Sequence, residues 1–279
     1  MTTQDAIRPV IHNITIYPVK SLDGISLQTA QVVKGGCLRH DREYAIVDAE
    51  GDFVNGKSNA LVHTLRSEVD LQQERISFRH EPEQAWNSFH LQDEANRIND
   101  YLSGIFHTPV SLIKNSEGRF MDIPDKAGLT ILSDASLQTV SGWFNNMNLE
   151  ETRQRFRATI EISGVPAFWE DRLFAEQDVM VEFMAGDVRL YGVSPRARCV
   201  VPTRHPRTGQ VIHAFPKTFA KHRATDLPSW SMLEAYGHHY YLTVNCYIPP
   251  TQVDKWISVG DEIHLTGNVH PNIFKDSDW

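Results

Sequence analysis

The sequence predicts a β-rich mixed α/β fold in two lobes, and three patterns carry that expectation. Between Ile11 and about Phe78, short β-branched and aromatic stretches alternate with Gly, Asp and Asn punctuation. Helical spacing occurs near residues 93–106 and again near 133–147. A polar, turn-rich run without periodicity, within "KNSEGRFMDIPDKAGL", lies between them near residues 114–128 and marks the lobe boundary.

In chain order, strands are expected at "HNITIYPV", "SLQTAQVV", "EYAIVDA", "ALVHTLRSEVDL" and "ERISFRH". The first helix places Ile98, Leu102, Ile105 and Phe106 on one face behind Asp93 as N-cap, and "PVSLI" follows as a strand. The second helix starts at Ser133 or Asp134 and aligns Leu137, Val140, Phe144 and Met147. Strands at "RATIEISG", "VMVEF", "DVRLYGV", "HHYYLTVNCYI" and "DEIHLTG" then suggest a barrel or sandwich.

The stretch "GDFVNGKS", residues 51–58, fits the letters of a phosphate loop. Asp48, Glu50 and Asp52 would crowd a polyphosphate with like charge, so the segment reads instead as a hairpin loop with Gly51 at positive φ.

The chain's 279 residues, 41% of them hydrophobic, can bury a large core. A net charge of -8 argues against nucleic-acid or anionic-membrane partners, which need a basic face. The opening "MTTQDAIRPV" lacks the features of a secretion signal, and nowhere do about eighteen apolar residues run together. A soluble, cytoplasmic protein is the expectation. Cys37, Cys199 and Cys246 are odd in number and widely spaced, so no disulfide framework or cysteine metal cluster is written here.

The densest reactive cluster is "SPRARCVVPTRHPRTG", residues 194–209, where Cys199 stands among four arginines that favour thiolate. Such a residue could be a buried hydrophobe, a nucleophile or a ligand to a soft metal. A hydrolase nucleophile with His205 or His213 as base lacks a glycine-rich elbow or ordered triad. His205, His213, His222, His238 and His239 are candidate proton donors in or beside the following loop, and Trp230 and Tyr236 are candidates for its mouth.

The segments "IYPVKSLDGISL", "DREY", "ILSDASL", "FRATIEISG", "WED", "GDVRL" and "RARCVVPT" occur in that order. From Val10 to Gly267 the chain resembles the MOSC family with its MOSC N-terminal domain, the group of the mitochondrial amidoxime-reducing component and its bacterial relatives. The resemblance implies an N-terminal α/β MOSC-N lobe over 8–115, a connection over 116–128, a MOSC β-barrel lobe over 129–268 and a tail over 269–279.

It also implies a pterin-based molybdenum cofactor (molybdopterin) whose metal is held by one protein cysteine, here Cys199. A single deprotonated soft ligand suits a high-valent metal. For the phosphate and pterin, the matching positions are Lys20, Ser21, Arg42, Ser133, Arg157, Thr159 and Arg198. Arg157 and Thr159, two apart on an expected strand, would share a face. Lys57 would add a cation from behind. Thr159 and Ala197 stand where relatives carry Asn and Ser. Thr159 keeps a hydroxyl donor, and Ala197 offers only backbone.

The activity so implied is two-electron reduction of N-hydroxylated compounds: amidoximes, hydroxylamines or N-hydroxylated bases. Electrons are expected from a separate ferredoxin or cytochrome b5-like protein with a flavin reductase, because the chain ends at Trp279 without a ferredoxin-type tail. The other reading by resemblance is a molybdenum-cofactor carrier or sulfur-handling module without turnover. Pyridoxal phosphate binding is a further association at family level.

Overall fold

The computed structural model describes residues 8–81, 85–117, 119–122 and 128–270. Residues 123–127 of the expected connection, and the expected tail from 271 on, lie outside them. The first part holds β1 (Val10–Ile16), β2 (Ile25–Leu27), β3 (Thr29–Val33), β4 (Cys37–Leu38), β5 (Tyr44–Asp48), β6 (Leu65–Asp70), β7 (Arg75–His80), β8 (Asn87–His90), α1 (Ala95–Phe106) and β9 (Val110–Lys114). The second holds β10 (Leu129–Ser133), α2 (Asp134–Gly142), α3 (Leu149–Phe156), β11 (Ile160–Ser163), β12 (Met180–Ala185), β13 (Val188–Ala197), α4 (Phe215–Thr225), β14 (Tyr241–Tyr247), β15 (Trp256–Ser258) and β16 (Ile263–Val269). The mixed α/β, mostly sheet composition is the expected one.

The largest sheet has eight strands in the order β16-β12-β13-β14-β10-β11-β1-β2. No closed ring of strands is present among the described residues. Among the described strands only β10 and β11 pair in parallel, and α2 and α3 form the crossover that such a pair requires. Strand pairing crosses the expected lobe boundary: in this sheet β1 pairs with β11 through Ile14 and Ile160, and in a separate three-stranded sheet β15 pairs with β3 through Ile257 and Ala30. Ile11, Ile14, Ile131, Ile160, Phe183 and Val244 share one core beneath it. A second core, around Leu65, Phe78, Ile98 and Leu102, belongs to the first part. The strand β14 is buried along its whole length, which explains its nearly unbroken apolar run "YLTVNCY".

Several elements differ from the sequence reading. Residues 60–63 form a 3-10 turn, entered through Asn59 accepting from the Leu61 N–H, so β6 starts only at Leu65. The N-cap of α1 is Glu94 rather than Asp93; its carboxylate accepts instead from the His90 N–H at 2.7 Å. Ser133 caps α2 as expected, but that helix ends at Gly142, before Phe144 and Met147. The strand expected from Arg157 begins at Ile160, because "LEETRQRF" forms α3 behind Asn148, whose side chain accepts from the Glu151 N–H. Helix α4 arises within the expected loop, with Pro216 in its first turn and Phe215, Phe219 and Arg223 buried at i, i+4, i+8.

The phosphate-loop letters do form a hairpin loop. Gly51 has φ +87°, the Asp48 N–H donates to the Asp52 carbonyl at 3.0 Å, and Val47 bridges Phe53. Among the described residues, no helix is long and apolar enough to cross a membrane.

Candidate functional site

One cavity of about 910 Å³ opens where the two parts meet. Its wall takes Tyr17 to Ser21 after β1, the turn at Arg42, the loop at Asn55–Lys57, the end of α3, and the stretch Ser194–Cys199 at the end of β13. Twelve of the chain's 27 Lys and Arg residues line it, against four of its 35 Asp and Glu. In a chain of net charge -8 this concentrates positive potential in one concavity.

Cys199 lies two residues beyond the end of β13 and is the exposed thiol of the three. Burial pushes the Cys37 thiol up to about 11 and raises Cys246 further, which leaves both protonated in the core. The backbone on either side of Cys199 is fixed: the Arg198 N–H donates to the Tyr240 carbonyl at 3.0 Å, and the Tyr240 hydroxyl to the Cys199 carbonyl at 3.3 Å. The next loop is tied to α3 by Arg155, which is almost fully buried. Its guanidinium donates to the carbonyls of Pro202 at 2.7 Å and Arg204 at 2.6 Å while pairing with Glu151 at 2.6 Å.

Tyr17 organises two of the expected cations. The Cζ atoms of Arg157 and Arg42 lie 4.0 and 4.8 Å from its ring centroid, so both guanidiniums lie against one phenol ring. Burial pushes its phenol up to about 12 against the pull of Arg157 and Arg42. The wholly buried Asp41 joins this frame, accepting from the Tyr17 N–H at 2.8 Å and pairing with Arg42 at 2.5 Å. Burial opposes the charge on Arg42, but Asp41, Tyr17 and Asp122 together more than offset it, raising its pKa. Arg157 has no such carboxylate, and burial lowers its pKa.

Backbone strain collects here. Ser21, Arg42 and Arg157 adopt φ of 73°, 51° and 52°. Each costs on the order of 1 kcal/mol in a residue with a side chain.

Lys20 donates to the Phe120 carbonyl at 2.8 Å and to Asp122 at 2.6 Å; burial lowers its pKa, with Asp122 opposing. The other Asp122 oxygen accepts from Arg196 at 2.6 Å, and Arg196 also reaches Asn245 at 3.1 Å. Burial alone would raise the Asp122 carboxyl, but Lys20, then Arg196 and Arg42, hold it well below the usual range. Arg198 lies on the Phe156 ring and donates to its carbonyl at 3.0 Å, and its pKa is lowered by burial and then by Arg196. Among the described residues, Lys57, Arg157, Arg198 and Arg204 line the cavity with no carboxylate within 4 Å, and Arg198 and Arg204 each keep a buried Nε–H without a partner.

The structure therefore brings Lys20, Ser21, Arg42, Lys57, Arg157, Arg198 and Cys199 to one wall and leaves two expected residues out. Ser133 is sealed in, its hydroxyl accepting from the Ser136 N–H at 3.1 Å and its N–H facing Glu170 at 3.3 Å. Thr159 is also buried, because its Oγ1 accepts from the Thr130 N–H at 3.4 Å and its N–H donates to Thr130 Oγ1 at 3.2 Å. Nor do Arg157 and Thr159 share a strand face, since Arg157 is the left-handed cap of α3.

Among the histidines, His63 lines the cavity, whereas His205, His213, His222, His238 and His239 do not. Tyr236 lines it; Trp230 packs instead under Arg172 and donates to the Phe168 carbonyl at 3.0 Å. The sequence reading passed over Tyr17, Asp122, Arg155 and His63. Tyr17 stood inside "IYPVKS", and Arg155 showed an i,i+4 partner in Glu151. Asp122 had no local signal. Among the described residues no three His, Cys, Asp or Glu side chains converge as a metal site.

Fold and cavity together define a β-rich α/β protein with one accessible thiol in a wall whose charge suits an anionic ligand. Residues 8–109 of the chain match the family model described as the MOSC N-terminal beta barrel domain.

It is 20% identical over 257 residues to a molybdenum cofactor sulfurase of Oryza sativa subsp. japonica, covering 76% of this chain but 30% of that one. It is 23% and 24% identical over 255 residues to mitochondrial amidoxime reducing component 2 of Bos taurus and Homo sapiens. Those matches cover 77% of this chain and 73% of each relative. The solved structure of the YUAD protein from Bacillus subtilis covers 93% of this chain and 96% of that chain at 11% identity, with a TM-score of 0.37.

Proposed function

We propose that this protein binds a molybdenum cofactor through Cys199 and reduces N-hydroxylated compounds with electrons from a separate protein donor. The observation that carries the reading is the placement of the exposed thiol in the wall of the cavity that gathers twelve cationic residues. The donor set fits the group. One accessible thiol can supply a soft ligand, and the unpaired Arg157, Arg198 and Arg204 suit the oxygens of a phosphate-bearing ligand.

Cys199 would hold the metal, and Lys20, Ser21, Arg42, Arg157 and Arg198 the phosphate and pterin. When bound, the group would supply two-electron oxygen transfer from an N–OH substrate, which with two electrons and two protons gives the reduced nitrogen compound and water. The protein's part is to orient and shield. Tyr17 holds Arg42 and Arg157 against its ring, Arg155 anchors the loop after Cys199, and His63 is the histidine placed to carry protons at the wall, its pKa lowered by burial. The relatives named for amidoxime reduction support this reading. A ferredoxin or cytochrome b5-like protein with a flavin reductase is the proposed donor, and the cytoplasm the proposed compartment.

The relative named as a sulfurase favours a second reading, in which the cofactor is bound and handed on without turnover. Expression in a host that makes the cofactor separates them. Wild type should retain about one molybdenum per chain, as a single-cysteine site requires, and reduce benzamidoxime with a chemical reductant. Cys199→Ala should change the metal spectrum and lose the reduction. Full activity in that variant would end the ligand role, and transfer of cofactor to an apoenzyme without reduction would favour the carrier.

A further inference from the structure

Two of the cavity's cations share one carboxylate. Asp122 gives one oxygen to Lys20 and the other to Arg196, both at 2.6 Å. Lys20 follows β1 and Arg196 lies on β13, so a single carboxylate links cations from the two parts of the chain. The acid is also the outermost of the three: its side chain is 44% exposed, against 15% for Lys20 and 21% for Arg196. Of the wall's other acids, Asp23 pairs with Arg66 and Glu150 with Arg153.

Among the described residues near Asp122, Phe120 makes two contacts outside the loop besides its bond from Lys20. The Phe120 N–H donates to the Arg42 carbonyl at 2.9 Å, and the Phe120 ring meets the exposed Phe53 edge-on at 5.7 Å. Both Lys20 contacts, to the Phe120 carbonyl and to Asp122, could be exchanged for oxygens of a ligand without opening the core.

We propose that Asp122 is an internal stand-in for the ligand's anionic group, occupying Lys20 and Arg196 while the cavity is free and yielding them when a phosphate-bearing ligand enters. This rests on the reading that the cavity takes such a ligand and adds a control on its loading. The contact distances match those of a charge-assisted bond to a phosphate oxygen. A dianion gains more from two cations than a monoanionic carboxylate does, but the carboxylate is tethered and so acts at high effective concentration. Small anions that bring no other contacts are therefore kept out, and a ligand with further holds on Arg42, Arg157 or Cys199 displaces it. The discrimination comes from competition within the site.

Calorimetric titration of the cofactor-free, full-length protein with inorganic phosphate tests this. Asp122→Asn and Asp122→Ala should each bind phosphate about tenfold more tightly than wild type, since the competing state is removed. Adding Lys20→Ala to Asp122→Asn should abolish the gain. Equal or weaker binding in both single variants, with unchanged melting temperature, would overturn the proposal, because a residue that merely aligns Lys20 and Arg196 gives that result. The outcome is independent of the metal. A phosphate gain together with molybdenum content indifferent to Cys199 would remove the ligand role of Cys199 and leave this proposal standing. The opposite pair of results would do the reverse.

Discussion

Glu170 shows how far burial can move a single group away from the cavity. It lies in the turn at Trp169–Leu173, fully enclosed, with Ser136 donating to one carboxylate oxygen at 2.9 Å. Burial, and then Asp171, push its carboxyl from 4.5 up to about 7. The folded protein therefore keeps a proton that the unfolded chain releases in that window. The resulting stabilisation is complete below the unfolded value and is lost as pH rises through the folded one.

Glu170→Gln is neutral throughout and preserves the acceptor for Ser136. Its stability relative to wild type should rise by on the order of 3 kcal/mol between pH 4 and pH 8. Urea unfolding at the two pH values reads this directly, and an equal difference at both would show that Glu170 titrates normally. At this scale the sequence was informative where a residue's neighbours are local. Cys199 stood out because Arg196 and Arg198 flank it, whereas the fate of Thr159 depends on Thr130, twenty-nine positions away.

At the scale of elements, Ser133 separates a capping role from a ligand role. A serine that opens a helix is equally a candidate anion site, and sequence spacing cannot choose between them. The structure encloses it, with Ser136 and Glu170 as its partners. Ser133→Ala should cost about 1 kcal/mol of stability, as loss of a cap does, and leave inorganic phosphate affinity unchanged in the Asp122→Asn background, where that affinity is measurable. A tenfold loss of phosphate affinity there would return Ser133 to the site. The helix α1 was legible because Ile98, Leu102 and Ile105 recur over a long stretch. The eight-residue α3 was not, since its last residue runs into an apolar strand and only Asn148 marks its start.

For the whole molecule, the division into two lobes that local patterns suggest is crossed by the sheet itself. Neither the boundary at 114–128 nor strand periodicity tells that β1 pairs with β11, because register between distant strands is set by packing and not by local sequence. Ile11, Ile14 and Ile16 of β1 are each at most 1% exposed, all within the core of the eight-stranded sheet. Burying three such side chains is worth about 5–9 kcal/mol, comparable with the net stability of a typical domain. A fragment comprising residues 129–268 would leave β11 an open edge and Ile160 and Ile162 without that cover. It should lack dispersed amide resonances, while the full chain should unfold in urea with coincident tryptophan fluorescence and circular dichroism transitions. A folded fragment with a cooperative transition of its own would mean that β1 is an accessory to the second half and not part of its core.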